Sequence, residues 1–97
     1  AQNGVVYMQP EEVVTTRQRL SPYFKDQTFY TAAVPTYIGG AMTFAWGCDN
    51  PATRLQSAEQ IAERFKASGI KTRYYNPQIH VGSFALPQYI LEKLGDA

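Results

Sequence analysis

Few residues in this chain have the chemistry to act on a substrate, and each also has a structural use. The one histidine, His80, stands in Asn76-Pro77-Gln78-Ile79-His80-Val81-Gly82. As a general base it would need a nucleophile to activate. No Ser or Cys sits in an elbow motif, so a packed or loop-capping histidine with one ring nitrogen held by backbone is the stronger reading. The one cysteine, Cys48, can make neither an internal disulfide nor a thiolate zinc site, and reads as a small buried hydrophobe. Gly39-Gly40 precedes a strand pattern rather than a helix, which fits a turn and not a phosphate loop. The acids are scattered, with Glu11 and Glu12 at a helix start, Asp26, Asp49, Glu59 and Glu63 on helix or turn surfaces, and Glu92 and Asp96 near the end. No two are spaced as a catalytic pair. The aromatic residues carry more signal. Tyr37, Phe44, Trp46, Tyr74 and Tyr75 could form a cation-binding wall, or, as the plainer reading has it for Phe44 and Trp46, ordinary core. Tyr37 follows a proline and precedes the Gly-Gly turn, where a rigid hydroxyl can be aimed at a cavity. Gln2 and Asn3 sit where a strand ends, the place α/β proteins use for ligand contacts.

These residues must be positioned by recognisable elements. Pro10-Glu11-Glu12 starts a helix, with proline in the first turn and acids at the positive end of the dipole. Val13, Leu20 and Phe24 lie along its apolar face. Pro22 ends it near Leu20, unless Ser21 caps one more short turn. From 28 to 47 the hydrophobic period changes to two, broken at Gly39-Gly40, which predicts an antiparallel pair of strands. Asp49-Asn50-Pro51 reads as a turn. Ser57-Ala58-Glu59-Gln60 is a capping box, followed by the stripe Ala58, Ile61, Ala62, Phe65 and the stop signal Gly69. Residues 71–75 read as a short strand and 76–82 as a loop. Leu86-Pro87 opens a last helix with the stripe Ile90, Leu91, Leu94 and the stop Gly95. The order is helix, two strands, helix, loop, helix. A two-stranded sheet is marginal in water, so something further, from outside this chain, is expected to extend it.

Composition bounds the rest. A chain of 97 residues with 44% hydrophobic, 13% aromatic and 18% charged residues is globular and one segment, 1–97, without a linker or repeat. Its net charge of +1 gives no electrostatic footprint for nucleic acid. No apolar run reaches the ~18 residues of a membrane span, and the N-terminus lacks the basic region of a signal peptide. Ala1-Gln2-Asn3-Gly4 without an initiator methionine reads as the middle of a longer chain.

Four segments together are more specific than any residue above. Ala1-Gln2-Asn3-Gly4, Pro35-Thr36-Tyr37-Ile38-Gly39-Gly40, Arg73-Tyr74-Tyr75-Asn76-Pro77-Gln78-Ile79-His80 and Phe84-Ala85-Leu86-Pro87-Gln88-Tyr89 resemble, in order and over the whole chain, the C-terminal part of the bacterial spermidine synthases, the polyamine aminopropyltransferases. The resemblance implies an α/β fold, the C-terminal portion of a Rossmann-like, methyltransferase-type domain. By the same resemblance the intact enzyme transfers an aminopropyl group from decarboxylated S-adenosylmethionine to putrescine, giving spermidine and methylthioadenosine. The family's glycine-rich cofactor loop, ribose-binding acid and two aspartates lie upstream of the matching part. The resemblance therefore implies no catalytic, cofactor-binding or metal-binding residue in this chain, and no activity of the chain alone. It does carry three substrate-binding positions over: the diamine-site Gln onto Gln2, the diamine-site Tyr onto Tyr37, and a residue lining the apolar part of the amine pocket onto Met42, which varies among relatives. The setting is expected to be cytoplasmic, and the helix faces of residues 10–24 and 57–69, left without a partner, together with the unpaired hairpin edge predict a homo-oligomer. Another amine, such as cadaverine, spermidine or agmatine, is an open alternative, as is a non-catalytic assembly module.

That division of labour makes chemical sense. A primary alkylammonium has a pKa of about 10.4, so near pH 7 only about one molecule in 2,500 is the free amine, a handicap of roughly 4.6 kcal/mol. A carboxylate base relieves it, while a Tyr hydroxyl and a Gln carbonyl orient the amine and that base for an in-line displacement beside a sulfonium.

Overall fold

The computed structural model describes residues 2–5, 9–34 and 41–97. Three strands form one sheet: β1 (Gln2–Val5), β2 (Asp26–Ala32) and β3 (Met42–Cys48). Their order is β1-β3-β2, and β3 runs antiparallel to both neighbours. β1 and β2 are therefore parallel, joined by the crossover helix α1 (Pro10–Leu20), with β3 inserted between them. The strand pair expected from the alternating run is present. The extension expected from outside the chain is instead supplied from within it by β1, whose four residues carry no alternation of their own.

Period-two alternation gives the sheet two different faces. On one, Phe29 packs with Val13 of α1 and Ile90 of α4 (Gln88–Leu94), all three fully or almost fully buried. On the other, Tyr30 stacks on Phe44 at 5.2 Å, and Phe84 lies against Tyr30 and edge-on to Trp46. Facing that side are α2 (Ala58–Ser68) and α3 (Pro77–Gly82), which pack on each other and share cavity walls with Trp46. The result is a three-layer α/β/α arrangement.

Local chemistry explains most element ends. α1 stops at Leu20, as Pro22 requires. The Ser57 and Gln60 side chains make both bonds of the capping box, at 3.2 and 3.0 Å. Gly69 and Gly95 close α2 and α4 in the left-handed region at φ 70° and 77°. Asn50 accepts from the Ala52 amide and starts a single 3₁₀ turn, Pro51–Thr53, at the expected Asp-Asn-Pro turn.

Two further expectations fail. Residues 71–75 form no strand; the Thr72 hydroxyl instead donates to the Tyr75 carbonyl at 2.6 Å, closing a local turn. The expected loop at 76–82 is helix α3. Asn76 caps it by accepting from the Ile79 amide at 2.8 Å, and Pro77 fills its first turn. From α3 the chain passes along the outer edge of β2. The Thr31 amide donates to the Ser83 carbonyl at 3.0 Å and the Ala33 amide to the Tyr74 hydroxyl at 3.2 Å. An edge that would otherwise template further pairing is partly covered there.

Candidate functional site

The sheet has two ends with different chemistry. At one end β2 finishes at Ala32 and β1 at Val5, both opposite Met42 at the start of β3. This is the carboxyl end of the two parallel strands, where open α/β sheets bind ligands. Gln2 belongs to β1 and pairs with Phe44, so the strand continues beyond it to Val5 rather than ending at Gln2. Tyr37 lies outside the described residues. Met42 is 2% exposed and lines neither apolar cavity described below. The structure thus brings the backbone of Gln2 and Met42 to one region of the sheet.

At the opposite end lies an ion pair that residue types and spacing do not reveal. Asp26, read above as a surface acid, is 8% exposed. Arg54 grips it with two bonds, Nε to Oδ2 at 2.9 Å and a terminal nitrogen to Oδ1 at 3.0 Å, and Trp46 Nε1 donates to Oδ2 at 3.0 Å. The Arg54 guanidinium also stands 5.8 Å from the Phe84 ring centre. The Arg54 hydrogen bonds, more than its charge, hold the Asp26 carboxyl below its ordinary value of 3.8, against the opposing effect of burial. The pair fixes the start of β2 to the segment that leads into α2.

Between the two ends, on the α2/α3 face, are two apolar cavities of about 300 and 510 Å³ that share Trp46, Tyr75 and His80 in their walls. Of the suspected aromatic wall, Trp46, Tyr74 and Tyr75 do line the smaller one, and Phe44 stacks beside it on Tyr30. His80 is half-buried on α3, its Nδ1 sharing a 2.8 Å hydrogen bond with the Tyr75 hydroxyl. It is a packed histidine, as expected, but a side chain rather than backbone holds its ring. Cys48 is half-buried and free. Among the described residues no three His, Cys, Asp or Glu converge as metal ligands. Nor is any helix there long and apolar enough to cross a membrane.

Comparisons with known proteins point to one group of enzymes. The sequence is 55% identical over 96 residues, 99% of the chain, to a polyamine aminopropyltransferase of Erwinia tasmaniensis. The chain is homologous over nearly its whole length to part of the polyamine aminopropyltransferases. The enzyme of the same name from Escherichia coli K12 is 57% identical over 94 residues. The chain spans about a third of the length of these relatives, 34% and 33% respectively. No protein-family model matches it. Among solved structures, spermidine synthase from Thermotoga maritima aligns with the entire chain at a TM-score of 0.83 and 22% identity, covering 33% of that protein. A spermidine synthase in complex with the transition state analogue AdoDATO aligns at 0.81 and 23% identity over 98% of the chain, covering 32% of its own. The sheet and its helices are thus the C-terminal portion of a Rossmann-like, methyltransferase-type fold.

Proposed function

We propose that this chain supplies one side of the amine site of a spermidine synthase, an enzyme that moves an aminopropyl group from decarboxylated S-adenosylmethionine to putrescine. The observation that carries this reading is the whole-length match at 55% identity to polyamine aminopropyltransferases. The sheet register supports it, because β1, which carries Gln2, pairs with the start of β3, which carries Met42. In this reading Gln2 and Tyr37 orient the amine and its base, and Met42 limits the length of its carbon chain. The base and the donor site come from a part of the enzyme outside these residues. The setting is cytoplasmic, and the enzyme self-associates; light scattering showing only monomer would remove that last element.

Kinetics of the full-length enzyme test the reading. Tyr37→Phe should lower kcat/KM by about 5- to 150-fold, the range expected for losing one hydrogen bond of about 1–3 kcal/mol. Gln2→Ala should chiefly raise KM for the diamine and leave the donor KM unchanged. Met42→Phe should penalise cadaverine more than putrescine, since one methylene in such a pocket is worth about 1–3 kcal/mol. Unaltered kinetics in the first two variants would remove both residues from the site. An unaltered putrescine-to-cadaverine ratio would make Met42 a core residue only.

A further inference from the structure

The register of β1 on β3 is irregular at one place. Gln2 pairs with Phe44, but Gly4 pairs with Thr43 and Val5 with Met42. Two steps along β1 therefore match one step along β3, which is a β-bulge. A regular ladder would set residue 4 opposite Met42; the bulge sets Val5 there. Because strand side chains alternate, this one extra residue decides which positions of β1 share a face with Met42.

Two features hold the bulge. Gly4 has φ +87°, a conformation that L side chains rarely adopt, and a Cβ added there would stand 2.6 Å from Gln9 Oε1. Thr43 is fully buried, and its hydroxyl donates to the Gly4 carbonyl at 2.7 Å. A residue needed here only to fill space between β1 and β2 would be valine, which has the same shape and no polar group to desolvate. The hydroxyl is explained by the carbonyl it binds.

We propose that Thr43 and Gly4 are positioning residues for the amine site. The Thr43 hydroxyl locks the bulged strand in the register that sets Gln2 opposite Phe44 and Val5 opposite Met42. This rests on the reading of Gln2 as an amine contact given above.

The test is steady-state kinetics of the full-length enzyme with Thr43→Val, Thr43→Ser, Gly4→Ala and Gln2→Ala, each accompanied by a thermal melt. Thr43→Val should raise KM for putrescine about 5- to 20-fold, with the donor KM unchanged. Thr43→Ser, which keeps the hydroxyl, should lie within about 2-fold of the parent. A purely structural threonine would lower the melting temperature and leave the amine KM alone. Should Thr43→Val not fold, Gly4→Ala decides by the same shift in amine KM. If Gln2→Ala raises the amine KM while neither Thr43→Val nor Gly4→Ala does, the clamp is overturned and the amine-site reading survives. If Gln2→Ala has no effect, the reading fails and the clamp with it.

Discussion

Replacing Arg54 with methionine should destabilise the protein by about 3 kcal/mol at pH 7. Removing one partner of a buried ion pair typically costs about 3–5 kcal/mol, because the other charge is left without compensation. The low end applies here, since the Arg54 side chain is 26% exposed and water can reach part of the site. Asp26 would retain only Trp46 Nε1 as a donor at this cluster. The effect carries a pH signature. The Asp26 pKa is lower in the folded protein than its ordinary value of 3.8. Its contribution is therefore complete above pH values near 4 and is lost as the pH falls through the lower folded value. The gap between parent and variant should narrow in acid. Asp26→Asn combined with Arg54→Met should cost less than the two single changes added, because the two side chains are in contact. Urea midpoints at pH 7 and at pH 3 check both points. A difference below about 1 kcal/mol at pH 7, or an equal difference at both pH values, would show the pair to be a solvent-screened surface contact.

That pair also marks the limit of what the sequence discloses. Asp26 and Arg54 are 28 residues apart and meet only because β2 starts where the 3₁₀ turn after β3 ends. No local spacing encodes such a contact, so Asp26 reads as one more scattered acid. The same holds for β1. Its place beside β3 is a long-range pairing, and its left-handed Gly4 breaks the alternation that would announce a strand. What is encoded locally is legible. The capping box at Ser57 and Gln60, the stops at Gly69 and Gly95 and the period-two run of β2 and β3 all appear where the residues put them. Helix α3 lies between these cases. Its six residues are too few for a hydrophobic stripe, and Asn76-Pro77 suggests a loop. Yet a capping Asn followed by Pro in the first turn is a helix start, and that signal was available. The candidate site is legible only through the resemblance of its segments to a family. Composition and spacing mark Gln2 and Tyr37 as suggestive polar groups near strand ends and assign them no substrate.

Supplied with decarboxylated S-adenosylmethionine and putrescine, the 97-residue chain alone should release no methylthioadenosine above a buffer blank. The amine nitrogen attacks only when deprotonated, and near pH 7 that state carries a handicap of roughly 4.6 kcal/mol. A base within hydrogen-bond reach must remove the proton. Among the described residues Asp26 is the one buried carboxylate, and it is already bound by Arg54 and Trp46. It also starts β2, whose other end, Ala32, is the one that meets Met42. At about 3.3 Å per residue, the length of the strand puts roughly 20 Å between this carboxylate and the proposed amine site. The other seven carboxylates, Glu11, Glu12, Asp49, Glu59, Glu63, Glu92 and Asp96, are exposed rather than enclosed with a bound amine. The deprotonation handicap of about 2,500-fold is therefore unrelieved in the chain alone. In the proposed reading Gln2 and Tyr37 orient the amine and neither serves as its base. Chromatographic assay of methylthioadenosine at pH 7 decides the matter. Product that scales with the concentration of the chain would show that a base and a donor site are present within these residues.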